Sequence, residues 1–205
     1  MKRVHLLFSV MLLTLLQACD GSDDPAMTDV NADPDAPVLA SIGNKFVTDN
    51  QQLNFTVSAT DANGDQITYT TQTITGIPNP LLSPSPATFA SGNFNWDTPP
   101  AGVYRLKFIA TDDSAMTNQD SETVTFAVFN STPITESASQ TLYVARCGSC
   151  HAADGSGGSS GVPVVGIAPA DVNSSIANVG AMSGISVSAD EEIGISGFLN
   201  TIAPN

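Results

Sequence analysis

Between residues 37 and 130, apolar and polar positions alternate with a period of two. Leu53, Phe55, Val57 and Ala59 interleave with Asn54, Thr56, Ser58 and Thr60. Tyr104, Leu106, Phe108 and Ala110 interleave with Val103, Arg105, Lys107 and Ile109, and Val124, Phe126 and Val128 with Thr123, Thr125 and Ala127. Each run predicts a strand with one face in a dry core. Asn63-Gly64, Ile77-Pro78, Ser91-Gly92 and Pro99-Pro100 punctuate the runs as turns. Short strands with regular turns predict a two-sheet antiparallel sandwich, with Trp96, the only tryptophan, in its core. Near the C-terminus the period changes. Ser188 and Glu191 form a capping box, and Ile193, Ile195, Phe198, Leu199 and Ile202 supply the apolar positions of a final helix.

The start of the chain reads as an address. Lys2 and Arg3 precede an apolar run over residues 4–16, too short to cross a bilayer and of the length of a signal-peptide core. It ends in Leu16-Gln17-Ala18-Cys19, which resembles the bacterial lipobox. That resemblance implies removal of residues 1–18 and lipidation of Cys19; the alternative is an ordinary secretory signal with a coincidental cysteine. Several acyl chains on one residue anchor stably where one would not. Asp20 resembles an inner-membrane retention signal and favours the inner over the outer membrane. Residues 20–36 hold six aspartates and no basic residue, which predicts a disordered tether over 19–36. Extended, it reaches roughly 55 Å.

Charge narrows the partners. Twenty acidic residues against six basic ones give a net charge of −14, which argues against nucleic-acid binding.

The middle segment, 37–130, resembles the cadherin-like or immunoglobulin-like modules of bacterial surface proteins. The resemblance runs through Thr60-Asp61-Ala62-Asn63-Gly64-Asp65, Gly92-Asn93-Phe94-Asn95-Trp96-Asp97-Thr98-Pro99 and Ala110-Thr111-Asp112. The module reads as a stiff spacer or docking platform. Asp61, Asn63 and Asp65, joined by Asp112 or Asp113, are candidate oxygen ligands for Ca²⁺. The competing and favoured reading of the same residues is a polar turn. An EF-hand is excluded in its usual form, because Gln66 takes the glycine position and Gln72 the terminal glutamate position.

Redox chemistry enters at Cys147-Gly148-Ser149-Cys150-His151, a C-x-x-C-H sequence and the attachment signal of a c-type haem. Two thiols three positions apart suit the two vinyl groups of a porphyrin, with the adjacent imidazole placed for iron. A tetrahedral zinc site needs four ligands. Here only Cys147, Cys150 and His151 remain after the signal, and no βαβ pattern supports a thioredoxin-type motif.

After the linker 131–137, the segment 138–205 resembles a small class I cytochrome c. Tyr143 matches the aromatic of that family's N-terminal helix, and Ser139 stands where the family often has glycine. The resemblance implies a flexible loop over Asp154-Gly155-Ser156-Gly157-Gly158 and a final helix crossing the first. Gly161-Val162-Pro163-Val164-Val165-Gly166 resembles the family's Gly-Pro-x-Leu-x-Gly, one residue longer before the proline; it implies that the Pro163 carbonyl accepts the Nδ1 hydrogen of His151. Met182, the only methionine after residue 116, lies where the family places its axial ligand, although Ser183 replaces the usual proline. The alternative is a buried methionine and an iron that is five-coordinate or water-ligated.

The expected fold is thus two-domain, an all-β immunoglobulin-like sandwich followed by an all-α cytochrome c domain. The expected function is a lipid-anchored, periplasm-facing carrier that moves single electrons between redox proteins bearing basic docking surfaces, and not an enzyme. The alternatives are a haem-based sensor or peroxidase-like module, should Met182 not ligate, and an adhesion or assembly lipoprotein acting through its sandwich.

Overall fold

The computed structural model describes residues 36–74, 77–114 and 118–204. The signal, Cys19 and almost all of the tether lie outside the described residues. Among the described residues nine strands come first, in the order β1 (Val38–Leu39), β2 (Lys45–Thr48), β3 (Leu53–Thr56), β4 (Ala59–Thr60), β5 (Thr68–Thr73), β6 (Thr88–Ala90), β7 (Asn93–Trp96), β8 (Gly102–Thr111) and β9 (Gln119–Phe129). They form a four-stranded sheet ordered β2-β9-β8-β5, a three-stranded sheet ordered β3-β7-β6, and a small β1-β4 pair. All pairings are antiparallel except that of β2 with β9.

The alternating residues meet between the sheets as expected. Phe94, Trp96, Leu106, Phe108, Val124, Phe126 and Val128 share one buried cluster, joined by Phe55 and Tyr69. Ring pairs tie the sheets together: Phe94 stacks on Phe126 at 5.3 Å, and Trp96 meets Tyr104 edge-on at 4.9 Å. A ten-residue and an eleven-residue strand, β8 and β9, run side by side and carry most of this core.

The other face of that sheet departs from the simple pattern. Val103, Arg105, Thr125 and Ala127 are outward positions of the alternation, yet all are buried, as is Phe129 at the end of β9. What covers them is helical. Four helices follow the strands: α1 (Glu136–Arg146), α2 (Gly148–His151), α3 (Pro169–Asn178) and α4 (Ala189–Thr201). Ile193 of α4 joins Val103, Ala127 and Phe129 in a second cluster, together with Phe46, Ala101 and Ile134. Residues 193–200 of α4 are buried without a break, because the helix packs on the sheet with one side and on α1 and α3 with the other.

Polar contacts fasten the junction. Arg105 donates to the carbonyls of Ala203 (3.1 Å) and Pro204 (3.4 Å), just past the end of α4. At the helix start, Asp190 accepts from the Asn130 backbone (2.7 Å) and the Ser131 hydroxyl (2.6 Å). Residues 131–137 are therefore held at both ends, with Ile134 packed in the second cluster and the Thr135 hydroxyl capping α1. The described residues form one compact unit. No helix among the described residues is long and apolar enough to cross a membrane.

Candidate functional site

The C-terminal helices enclose one apolar cavity of about 490 Å³, a volume typical of small-molecule and cofactor sites. Its walls are built by close helix crossing. Ser139 on α1 is fully buried against Gly194 on α4, where a Cβ would stand 3.0 Å from the serine hydroxyl. The close crossing is allowed by a glycine on α4 facing a small serine on α1. Tyr143, one turn further along, packs on Phe198 with ring centroids 5.6 Å apart.

Cys147 ends α1 and opens α2. Its N–H donates to the Tyr143 carbonyl, while its own carbonyl accepts from Cys150 and His151 at 3.1 and 3.0 Å. One short helical turn therefore carries both thiols and the imidazole to the cavity. Ala152 then adopts φ +62, reversing the chain, and the Tyr143 hydroxyl donates to its carbonyl at 2.8 Å. Burial pushes the Tyr143 phenol up to about 12, with Cys147 and Asp154 adding to the rise, so it remains a donor at neutral pH. Burial also raises the Cys147 thiol, against the pull of Arg146. Cys147 is buried and Cys150 exposed, so the cysteines occupy the inner and outer ends of the turn.

The partner of His151 differs from the expectation. Nδ1 lies 3.0 Å from the carbonyl of Val162, not of Pro163, which is exposed and does not line the cavity. The extra residue explains this correction. Gly161 turns the chain at φ +67, and the residue directly after it presents its carbonyl to the ring; here that residue is Val162. Pro163 acts one step removed, since a residue before proline is held extended.

A second oxygen also faces the imidazole. Ser160 Oγ lies 3.1 Å from Nδ1. The loop just before it, residues 154–158, is tied down rather than flexible: Gly157 N donates to the His151 carbonyl and Val164 N to that of Gly155. No sequence signal marks Ser160, which sits in a run of serines and glycines.

Met182, which also lines the cavity, closes the short turn Gly180–Met182 and is half-buried. Val164, Ile167, Val172, Ile195 and Leu199 complete an apolar wall. Two buried polar residues of α4 hold part of that wall in place, with Ser196 Oγ and Asn200 Nδ2 both donating to the Ile167 carbonyl at 2.6 and 2.8 Å. Cys147, Cys150, His151 and Met182 thus line a single, mostly apolar cavity. That donor set suits a covalently attached porphyrin and its iron.

Asp61, Asn63 and Asp65 lie on a turn of the sandwich, apart from this cavity. Asp61 Oδ1 accepts from the backbone N–H groups of Asn63, Gly64 and Asp65 at 3.1, 2.8 and 3.1 Å, and Asp113 Oδ1 accepts from that of Gln66 at 2.9 Å. These oxygens brace the turn. Among the described residues no group of three or more histidine, cysteine, aspartate or glutamate side chains is placed to hold a metal ion.

No family model matches the chain, and no curated protein matches it. Among solved structures, the chain is similar to Drosophila N-cadherin EC1-4 at 20% identity, covering 45% of this chain and 24% of that one, with a TM-score of 0.35. It is also similar to the third cadherin domain of human protocadherin 7 at 14% identity, covering 47% of this chain and 88% of that one, with a TM-score of 0.35. A third similarity is to the human desmocollin-1 ectodomain, at 17% identity, 47% and 20% coverage and a TM-score of 0.33. The chain spans about a quarter of the length of the N-cadherin structure.

Proposed function

We propose that the chain is a membrane-anchored periplasmic c-type cytochrome that passes single electrons between redox proteins, its sandwich serving as spacer and docking module. The observation that carries this reading is the convergence of Cys147, Cys150, His151 and Met182 on one apolar cavity. Cys147 and Cys150 would hold the porphyrin through thioethers, and His151 and Met182 would donate to its iron. When bound, the haem accepts one electron and gives it back.

The chain's own residues favour a carrier over an enzyme. His151 and Met182 together would leave no open coordination position. Among the cavity residues His151 is the only imidazole, so none remains to act as a base. The wall is mostly apolar, and Ser196 and Asn200 pin the Ile167 carbonyl within it. Rigidity of this kind suits electron exchange with little reorganisation. An adhesion role would use none of these residues.

The test is spectroscopic. The chain, exported by a host with haem-attachment machinery, is expected to show a methionine–iron charge-transfer band in its oxidised state. Met182→Ala should abolish that band while leaving the haem attached. A band that persists in the variant would refute the Met182 assignment, and a wild-type chain that loads haem without the band would reopen the sensor reading.

A further inference from the structure

We propose that Ser160 is a positioning residue that fixes the ring state of His151 and sets the reduction potential of the site. The inference rests on the haem reading above.

The argument starts from the donor and acceptor inventory of one hydroxyl. Ser160 has a single hydroxyl hydrogen, which it donates to the Gly157 carbonyl at 2.6 Å. Its two lone pairs then face the Val162 N–H at 3.2 Å and His151 Nδ1 at 3.1 Å. A hydroxyl offers one donor and two acceptor sites, and all three are used. Towards His151 the hydroxyl can only accept. The second neighbour of Nδ1, the Val162 carbonyl at 3.0 Å, is also only an acceptor. Nδ1 must therefore carry the hydrogen, and in the neutral imidazole Nε2 is left bare for iron.

The hydroxyl is held there by its own turn. Residues Gly158–Ser160 form one turn of 3₁₀ helix laid directly on α2. Gly158 sits at φ +43, and a Cβ on it would come within 2.6 Å of Ala152 N and 2.7 Å of the Cys150 carbonyl. Only glycine allows that approach. Two acceptors sharing one N–H draw its hydrogen outward and make the imidazole a stronger electron donor through Nε2. A stronger donor stabilises the oxidised more than the reduced iron, so the serine lowers the potential.

Potentiometric titration of the full haem-loaded chain tests this. In Ser160→Ala the reduced-to-oxidised ratio at a fixed applied potential should rise about three- to tenfold, tenfold being about 59 mV for one electron. Ser160→Thr, which keeps the hydroxyl, should return to the wild-type value. Should the alanine variant fail to load haem, Ser160→Val against Ser160→Thr gives the same comparison between side chains of one shape. A haem-bearing wild type whose potential is unmoved by loss of the hydroxyl would overturn the role of Ser160 alone. An equal rise in the threonine variant would overturn it too, by tracing the effect to the loop. A colourless wild type would overturn it together with the haem reading.

Discussion

Tyr143 spends its hydroxyl on the Ala152 carbonyl and its ring on Phe198, linking α1, the turn after His151, and α4. Tyr143→Phe should cost about 0.5–1.5 kcal/mol, the usual net worth of one such hydrogen bond, read by denaturant unfolding. The pH dependence follows from the phenol. In the unfolded chain it ionises near its ordinary value of about 10, whereas in the fold it is pushed up to about 12. The fold favours the neutral form, so this contribution is intact below about 10 and is lost as the pH rises towards 12. The phenylalanine variant should lose that part of the alkaline decline. At this scale Cys147, Cys150, His151 and Met182 could be picked out as residues that share one cavity, because residue type and spacing mark them. The carbonyl facing His151 was not, since a one-residue insertion moves it from Pro163 to Val162 and a backbone atom leaves no mark in the sequence. Ser160 was equally hidden.

The element that organises the molecule is α4, whose capping box was plain in Ser188 and Glu191 and is formed as expected. Its apolar positions predicted one buried face. The helix has two, because Gly194 and Gly197 are small enough to bring a neighbour close on either side. A Cβ at Gly197 would stand 2.9 Å from the Ala127 side chain and 3.4 Å from the Phe46 ring. Gly197→Leu should therefore lift α4 from the sheet, lowering stability by about 1–3 kcal/mol and haem occupancy with it; equal stability and occupancy would show that the contact is dispensable. A clue to this second face lay in the strands. Val103 and Ala127 are apolar at positions that alternation assigns to solvent, a mismatch that signals a cover. The third helix, α3, was not expected at all, although Pro169 at its first turn and Asp171, whose carboxylate accepts from the Ala168 N–H at 3.4 Å, are ordinary start signals.

Across the whole molecule, the sandwich does more than hold the helices at a distance, since its outer sheet face is a wall of their core. Acidic residues outnumber basic ones twenty to six, so encounter with a basic redox partner should slow as salt rises. Stopped-flow electron transfer at increasing ionic strength checks this, and an invariant rate would contradict the electrostatic part of the account. The central claim, that Cys147 and Cys150 hold a porphyrin covalently, is tested most directly by mass. The exported chain, denatured and extracted with acidified solvent, should retain one haem in its intact mass and lose it in the double variant Cys147→Ser/Cys150→Ser. A wild-type chain at its unmodified mass in this region, with both thiols open to alkylation, would contradict it.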